Sequence, residues 1–475
     1  MIKSSVVAQI FSKPQWQCWL SEKQTAAQTN ELQTLKPHEL KTHQLKPHQL
    51  KPHQLTVPWP PGPPTLGPLV SATTTSPEAE NHVIANESNA NEVAVAASDF
   101  SIAGRNVTKY SLSANAGATW ADSFVPLDGG SFPNTNDGAY QFNSDPVLAT
   151  NSRSAALGQN LYLTCIYFDG GGSTRNGLYV LRGDFASGFS LANIVGVAVN
   201  PSPTTTIFED KPWLTARRGS NEVYISWSRF VSGSSRIVFS RSSDSGATWS
   251  PAIQLSPAAQ NGGVQFSQVQ VDPVSGYVYV LWSVFFLGGV SQLWMAVSTT
   301  RGFSFLPAAP FSVGFTVINF STVYRKNSIP SLTVFRSDVY ASVAAMVGTM
   351  SEIFNVRSWD YGRHSFGGAL IRVDDAITGQ RLFNQMCTDA SGAIWVCWYD
   401  TRLNPTAQSD QLDVFMSRSA DRGGSWEPNT RLTNATFSVA GFTFIGDYFG
   451  IASTNLTTHP AWTQSNTFVF TRAVS

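Results

Sequence analysis

Charge is scarce in this 475-residue chain: Asp, Glu, Lys and Arg together make up 13% of it, with 31 basic residues against 31 acidic. A zero balance without a basic block implies neither nucleic acid nor an anionic membrane surface as a partner. Cysteine is scarcer still, and Cys18, Cys165, Cys387 and Cys397 are too few for a disulfide framework in so long a chain. Cys387 and Cys397 flank the turn Asp389-Ala390-Ser391-Gly392. Pairing that hairpin sets Cys387 opposite about Ile394 and Cys397 opposite about Asn384, so both are expected as buried free thiols. No run of 18 apolar residues occurs, which excludes a membrane-spanning helix. The apolar residues after Met1-Ile2-Lys3 are too few and too interrupted for a secretory leader. The sequence also lacks C-x-x-C, H-E-x-x-H, a phosphate-binding glycine loop and a G-x-S-x-G elbow. No acidic loop has calcium-ligand spacing, so no metal or other cofactor is expected, calcium among channel aspartates being the one to consider.

What the chain has is a repeat. Ser242-Ser243-Asp244-Ser245-Gly246-Ala247-Thr248-Trp249 is closely copied at Ser419–Trp426, and again at Ser113–Trp120 with Asn115 in the Asp position. Weaker copies run from Ser298 to Phe305 and from Ser358 through Asp360 to Phe366, and a faint one surrounds Asp184 and Gly188. The Asp-equivalent positions 115, 184, 244, 300, 360 and 421 are 69, 60, 56, 60 and 61 residues apart. That period suits one four-stranded propeller blade with generous loops. The box reads as a tight turn: Gly246 and Gly423 supply a positive φ, the Asp caps backbone amides, and Trp249 and Trp426 drop an aromatic between sheets. A feature repeated in every blade is structural, so Asn115, Asp244, Gly246, Trp249, Asp360, Asp421, Gly423 and Trp426 are assigned to scaffold.

These boxes resemble the Asp-boxes, or BNR repeats, of the sialidase (neuraminidase) β-propeller superfamily. Asp210-Lys211-Pro212-Trp213, Trp398-Tyr399-Asp400-Thr401-Arg402 and Gly446-Asp447-Tyr448-Phe449-Gly450 are similar to bacterial sialidase-like repeat proteins in particular. The expected fold is therefore all-β, a propeller of four-stranded antiparallel blades over residues 81–475. Strand signals recur in seven triplets, and the last lacks a fourth strand. Seven blades are expected, closed by a strand from near residues 66 to 75, with the six blades of known sialidases as the alternative. Residues 1–80 read as an extended arm: Leu-Lys-Pro-His-Gln pentapeptides between Leu35 and Gln54, then Pro58-Trp59-Pro60-Pro61-Gly62-Pro63-Pro64, exclude a helix and favour a polyproline-type spacer or a tail for self-association.

In an up-and-down blade the boxes occupy the turns between third and fourth strands. A ligand face should form at the opposite end, where chains enter the first strand or leave the second. Asp145, Asp210, Lys211, Arg229, Arg381, Tyr399, Asp400, Arg402, Asp447 and Tyr448 lie at such positions and are the candidate ligand-face residues. Carboxylates there would suit acid and base work, and arginines would suit an anionic sugar. The resemblance implies a sialidase mechanism with three arginines, a tyrosine nucleophile with a glutamate, and an aspartate acid. No Phe-Arg-Ile-Pro motif precedes the first box, and neither Tyr399 nor Tyr448 has a glutamate partner in sequence. The expected function is a glycan-binding or assembly module in an extracellular or cell-surface setting, with a glycan or a protein as ligand. A diverged exo-sialidase or other glycoside hydrolase, and a structural subunit using the N-terminal arm, are the alternatives.

Overall fold

The computed structural model describes residues 64–475 apart from 103–105, 126–139, 155, 157, 170–174, 201–205, 321, 323, 359–360, 362–368, 407–409 and 466–467. The pentapeptide arm, Cys18 and Asp360 lie outside the described residues.

The chain is a β-propeller built of antiparallel meanders. The first has strands Glu78–Ala85, Val93–Asp99, Val107–Ser113 and Ala121–Phe124, and the second Phe142–Thr150, Leu161–Phe168, Asn176–Asp184 and Gly188–Asn200. The third has Ile207–Ala216, Val223–Val231, Ser234–Ser242 and Ile253–Gln254. The fourth (Val264–Val271, Val278–Phe286, Val290–Ser298, Ala309–Pro310) and fifth (Ser331–Phe335, Asp338–Val347, Met350–Ser358, Ile371–Arg372) are joined into one sheet by the short strand Phe315–Thr316. The sixth runs Arg381–Thr388, Ile394–Asp400, Gln411–Ser419 and Thr430–Arg431. The last has Gly450–Ser453, Thr458–Gln464 and Phe468–Thr471, and its outer strand is Val70–Ser71, with Val70 opposite Thr471. First strands pack on first strands around the ring, and Glu78–Ala85 packs against Gly450–Ser453. The propeller thus begins before residue 81: the boundary expected there cuts off the closing strand and the start of the first blade. That pairing ties the two ends of the chain together and covers an edge that would otherwise invite association.

The composition follows from the sandwiching of each sheet between two others. In Val93–Asp99 every residue is buried. Ala94 and Ala96 pack with the second blade in one cluster, whereas Val93, Val95 and Ala97 pack with the last blade in another. Alternation of period two serves two neighbours rather than core and solvent, so the strand is apolar or small throughout. Trp227, Trp282, Trp395, Trp398 and Trp462 are fully buried, filling the space that short side chains leave.

Cys165 and Cys397 are buried free thiols and Cys387 is a half-buried one. In the hairpin Cys387 faces Trp395 and Cys397 faces Gln385, one residue from the expected register. The shift arises because the turn closes with Asp389 N–H on the Ala393 carbonyl at 3.0 Å, leaving Thr388 opposite Ile394. The two cysteines still are not directly opposed.

Candidate functional site at the channel mouth

Strand register puts the boxes and the candidate residues at opposite ends of each sheet. In the third blade Ser242, where the box starts, faces Val223 at the start of the second strand. Glu209 and Asp210 face Arg229 and Ser228 at its end.

At that second end the first strands share one device. Five of them carry a register shift next to a non-glycine residue in the left-handed region: Glu80 (φ 52°), Asp145 (56°), Lys211 (48°), Phe266 (62°) and Phe383 (54°). Such a bulge inserts one unpaired residue and redirects its side chain, at a backbone cost of order 1 kcal/mol each.

The three charged bulge residues belong to one cluster. Lys211 Nζ lies 2.5 Å from Asp447 Oδ2, 3.5 Å from Asp145 Oδ2 and 3.7 Å from Glu80 Oε1. Arg325, from the connection between fourth and fifth blades, pairs with Asp447, lies 3.9 Å from Glu80 and covers the Phe444 ring at 4.5 Å. Asn327 donates to Asp447 Oδ1 at 2.7 Å, and Arg325 N–H donates to the Thr443 carbonyl at 2.9 Å. The connection between the fourth and fifth blades and that between the sixth and the last therefore meet over the mouth.

Four carboxylates (Glu80, Asp145, Asp210, Asp447) here face two cations. Burial, then Asp145, holds Glu80 well above the usual carboxyl range against the pull of Lys211. Burial likewise pushes Asp210 up to about 7, with Lys211 opposing and Asp145 and Asp447 adding to it. Asp447 goes the other way: burial acts against its charge, but Arg325 and Lys211 outweigh it and hold it below the usual range. Lys211 is raised in spite of its burial by those same carboxylates. Asp447 at one end of the cluster is thus held ionised by its two cations, while burial raises Glu80 and Asp210 at the other. Beneath it His82 accepts from Leu148 N–H at 3.3 Å and meets Trp213 edge-on at 5.2 Å, and burial pushes its imidazole down to about 3. Among the described residues no group of three His, Cys, Asp or Glu is arranged to hold a metal ion.

Of the ten candidate residues the structure gathers Asp145, Asp210, Lys211 and Asp447 here. Tyr448 is close by, its ring 5.9 Å from Trp213 and its hydroxyl donating to the Pro146 carbonyl at 3.4 Å. Arg381, Asp400 and Arg402 form a separate group between the fifth and sixth blades. Arg381, fully buried, lies 2.9 Å from Asp374 Oδ1 and 3.7 Å from Asp400 Oδ2, while Arg402 Nε and Nη2 fork onto Asp400 at 2.9 and 2.7 Å. Arg229 is tied within its own blade to Glu209 at 2.8 Å, and Glu209 also accepts from Trp227 Nε1 at 2.6 Å. The Tyr399 hydroxyl donates to the Thr463 carbonyl at 2.9 Å and accepts from Thr463 N–H at 3.1 Å, stitching the sixth blade to the last. The single face expected from sequence is therefore two clusters, a tie within the third blade and a link between blades. Glu80 and Arg325 were not among the candidates. Glu80 lies 35 residues before Asn115, as Lys211 lies 33 before Asp244 and Asp145 39 before Asp184. That spacing is a signal a repeat alignment could have used; Arg325 sits in a connection and has none.

The capping bonds of the boxes are closed within each turn. Ser242 Oγ donates to Asp244 Oδ1 (2.7 Å) and accepts from Gly246 N–H (2.8 Å), while Thr248 N–H donates to Asp244 Oδ1 (2.9 Å). Asn115, Thr300 and Asp421 repeat the capping bond with Thr119, Ser304 and Ser425 N–H. Ser245 and Gly246 take φ of 59° and 77°, a pair repeated at Arg422 and Gly423.

The sequence matches no protein-family profile and no curated protein. Among solved structures, an intramolecular trans-sialidase from Ruminococcus gnavus is 11% identical, with a TM-score of 0.42 over 85% of this chain and 95% of that one. An α-L-arabinanase from Penicillium chrysogenum is 12% identical, with a TM-score of 0.44 over 87% and 98%. A protein of unknown function from Dyadobacter fermentans is 13% identical, with a TM-score of 0.46 over 75% and 98%. By its own sheet topology the chain is a β-propeller, similar to these proteins at an identity that transfers no activity.

Proposed function

We propose that this propeller is a carbohydrate-binding module, acting outside the cytoplasm, whose channel mouth takes a neutral sugar and which does not hydrolyse sialosides. The observation that carries this reading is the saturation of the mouth's two cations. Lys211 and Arg325 are both paired to carboxylates, and Arg229, Arg381 and Arg402 are each engaged with an acid elsewhere. An anionic sugar would find both cations of the mouth already paired, whereas hydroxyls suit a face of Asp210, Lys211 and Asn327, which between them accept and donate.

A second reading, a diverged hydrolase, draws on Asp210 alone, since a carboxyl held up to about 7 can donate a proton at neutral pH. Release of free sialic acid from α-linked sialosides between about pH 4 and 8 separates the two. The expected result is no release above buffer, alongside binding of neutral oligosaccharides that Asp210→Asn weakens. Release that disappears in Asp210→Asn would replace the binding reading with the hydrolase.

A further inference from the structure

A shallow cleft of about 420 Å³ opens where the outer strand of the fifth blade meets the box of the sixth, lined by Arg372, Asp374, Asp375, Trp426, Glu427 and Pro428. Its volume falls in the range of about 300–1,000 Å³ typical of small-ligand sites.

Its polar groups are fixed but not used up. Asp375 Oδ1 accepts from Arg402 Nη1 at 2.7 Å and its Oδ2 from Asn429 N–H at 2.9 Å, while Asn429 Oδ1 takes Asp375 N–H at 2.9 Å. Those bonds hold the carboxylate in place, yet half of the side chain is exposed. Arg372 is braced by Asp374 at 3.1 Å and Glu352 at 3.3 Å with 37% of its side chain exposed. A preset donor and acceptor on one wall bind with little ordering cost.

The other wall breaks the rule of the repeat. Trp120 and Trp249 each donate their indole N–H to the carbonyl of their own box glycine, Gly117 at 3.0 Å and Gly246 at 3.1 Å. Trp426 Nε1, at the equivalent position, is buried and has no acceptor among the described residues. Its box reads Gly-Gly-Ser, and Gly424 N–H adds a further bond to Asp421 at 2.9 Å. The repeat's usual anchor is missing in the one box that borders this cleft with an aromatic ring beside a carboxylate and a guanidinium.

The geometry points to a second sugar site here, distinct from the mouth, that binds the ring of a neutral hexose: the Trp426 indole lies along the apolar face of the sugar, and Asp375 and Arg372 bond its hydroxyls. Asp374, Asp375 and Glu427 are paired with Arg381, Arg402 and Arg418, and Arg372 with Asp374 and Glu352, so the described residues of the lining hold no unpaired cation for an anionic sugar.

The test follows the indole N–H resonance of Trp426, assigned by its loss in Trp426→Phe, while cellotetraose, maltotetraose or sialyllactose is added to the full chain. A saturable shift with a neutral tetrasaccharide and none with sialyllactose is expected. Asp375→Ala should weaken that response at least tenfold. Asp210→Asn separates the two sites, because it is expected to remove binding at the mouth while the Trp426 shift persists. A Trp426 resonance that no neutral sugar moves would overturn the rim site whatever the mouth does. A shift that vanishes in Asp210→Asn but survives Asp375→Ala would assign the binding to the mouth alone.

Discussion

The two ends of this propeller are built on opposite plans. At the box end one turn recurs at Asn115, Asp244, Thr300 and Asp421, its capping bonds closed within eight residues, with only a few ties beyond it such as Arg422 to Asp338 of the fifth blade. At the mouth different elements each contribute something different to a shared group: Glu80 from the first blade, Asp145 from the second, Lys211 from the third, Arg325 from the connection after the fourth and Asp447 ahead of the last. Local closure makes a turn robust and copyable. Long-range pairing of buried charges makes the mouth specific to this chain, and costly to disturb.

The contrast is broken most severely by removing the first residues of the ring. A chain beginning at residue 81 loses Val70–Ser71, Glu78 and Glu80 together, and is expected to lose cooperative unfolding, whereas one beginning at residue 64 keeps all three. Urea titration followed by tryptophan fluorescence decides it, and a normal transition in the shorter chain would show that closure is dispensable. Lys211→Met comes next. It leaves Asp447, Asp145 and Glu80 without their ammonium and should cost about 3 kcal/mol or more at pH 7 in equilibrium unfolding, with a smaller loss near pH 5, below the value of about 7 to which Asp210 is raised.

A third test uses pH. Burial pushes Glu78 up to about 8 and Asp210 up to about 7, so the folded state binds more protons than the unfolded one between the ordinary carboxyl range and those values. Stability from these groups is present at low pH and is lost as pH rises from about 4.5 to 8. Glu78, whose Oε2 accepts from Thr73 and from Val469 N–H at 3.1 Å, lies at the ring closure. Glu78→Gln should therefore flatten part of the fall in melting temperature between pH 5 and 8; an unchanged slope would remove Glu78 from that role.

At the box end the effects are expected to be smaller and alike. Asp244→Ala and Asp421→Ala each lose capping bonds and should cost about 1–2 kcal/mol without altering sugar binding at the mouth. Unequal losses, or a binding defect at the mouth, would show the two ends to be coupled. Thr300→Asp supplies the carboxylate that the fourth box lacks and should change stability by no more than a few tenths of a kcal/mol, within the scatter of surface substitutions.

Much of this contrast could be read from the sequence, and the limits have physical reasons. The box was legible because all its partners fall within eight residues, so Asp244, Gly246 and Trp249 announce their own bonds. The position of the mouth was legible from topology, since residues before a first strand must gather at one end of a closed ring. Which of them meet was not, because Arg229 and Asp210 stand on paired strands yet Arg229 turns to Glu209. Tyr399 and Arg381 belong to blade-to-blade contacts that no local pattern encodes. Glu80 looked like part of an arm because its strand has no box behind it to mark its start.

By itself, then, the sequence determined the scaffold, through a period near sixty residues and a turn whose hydrogen bonds are local. Tertiary structure alone decided which charges share the mouth: Glu80, Asp145, Lys211 and Asp447 stand tens to hundreds of positions apart, and only the closed ring brings them within a few ångströms of one another.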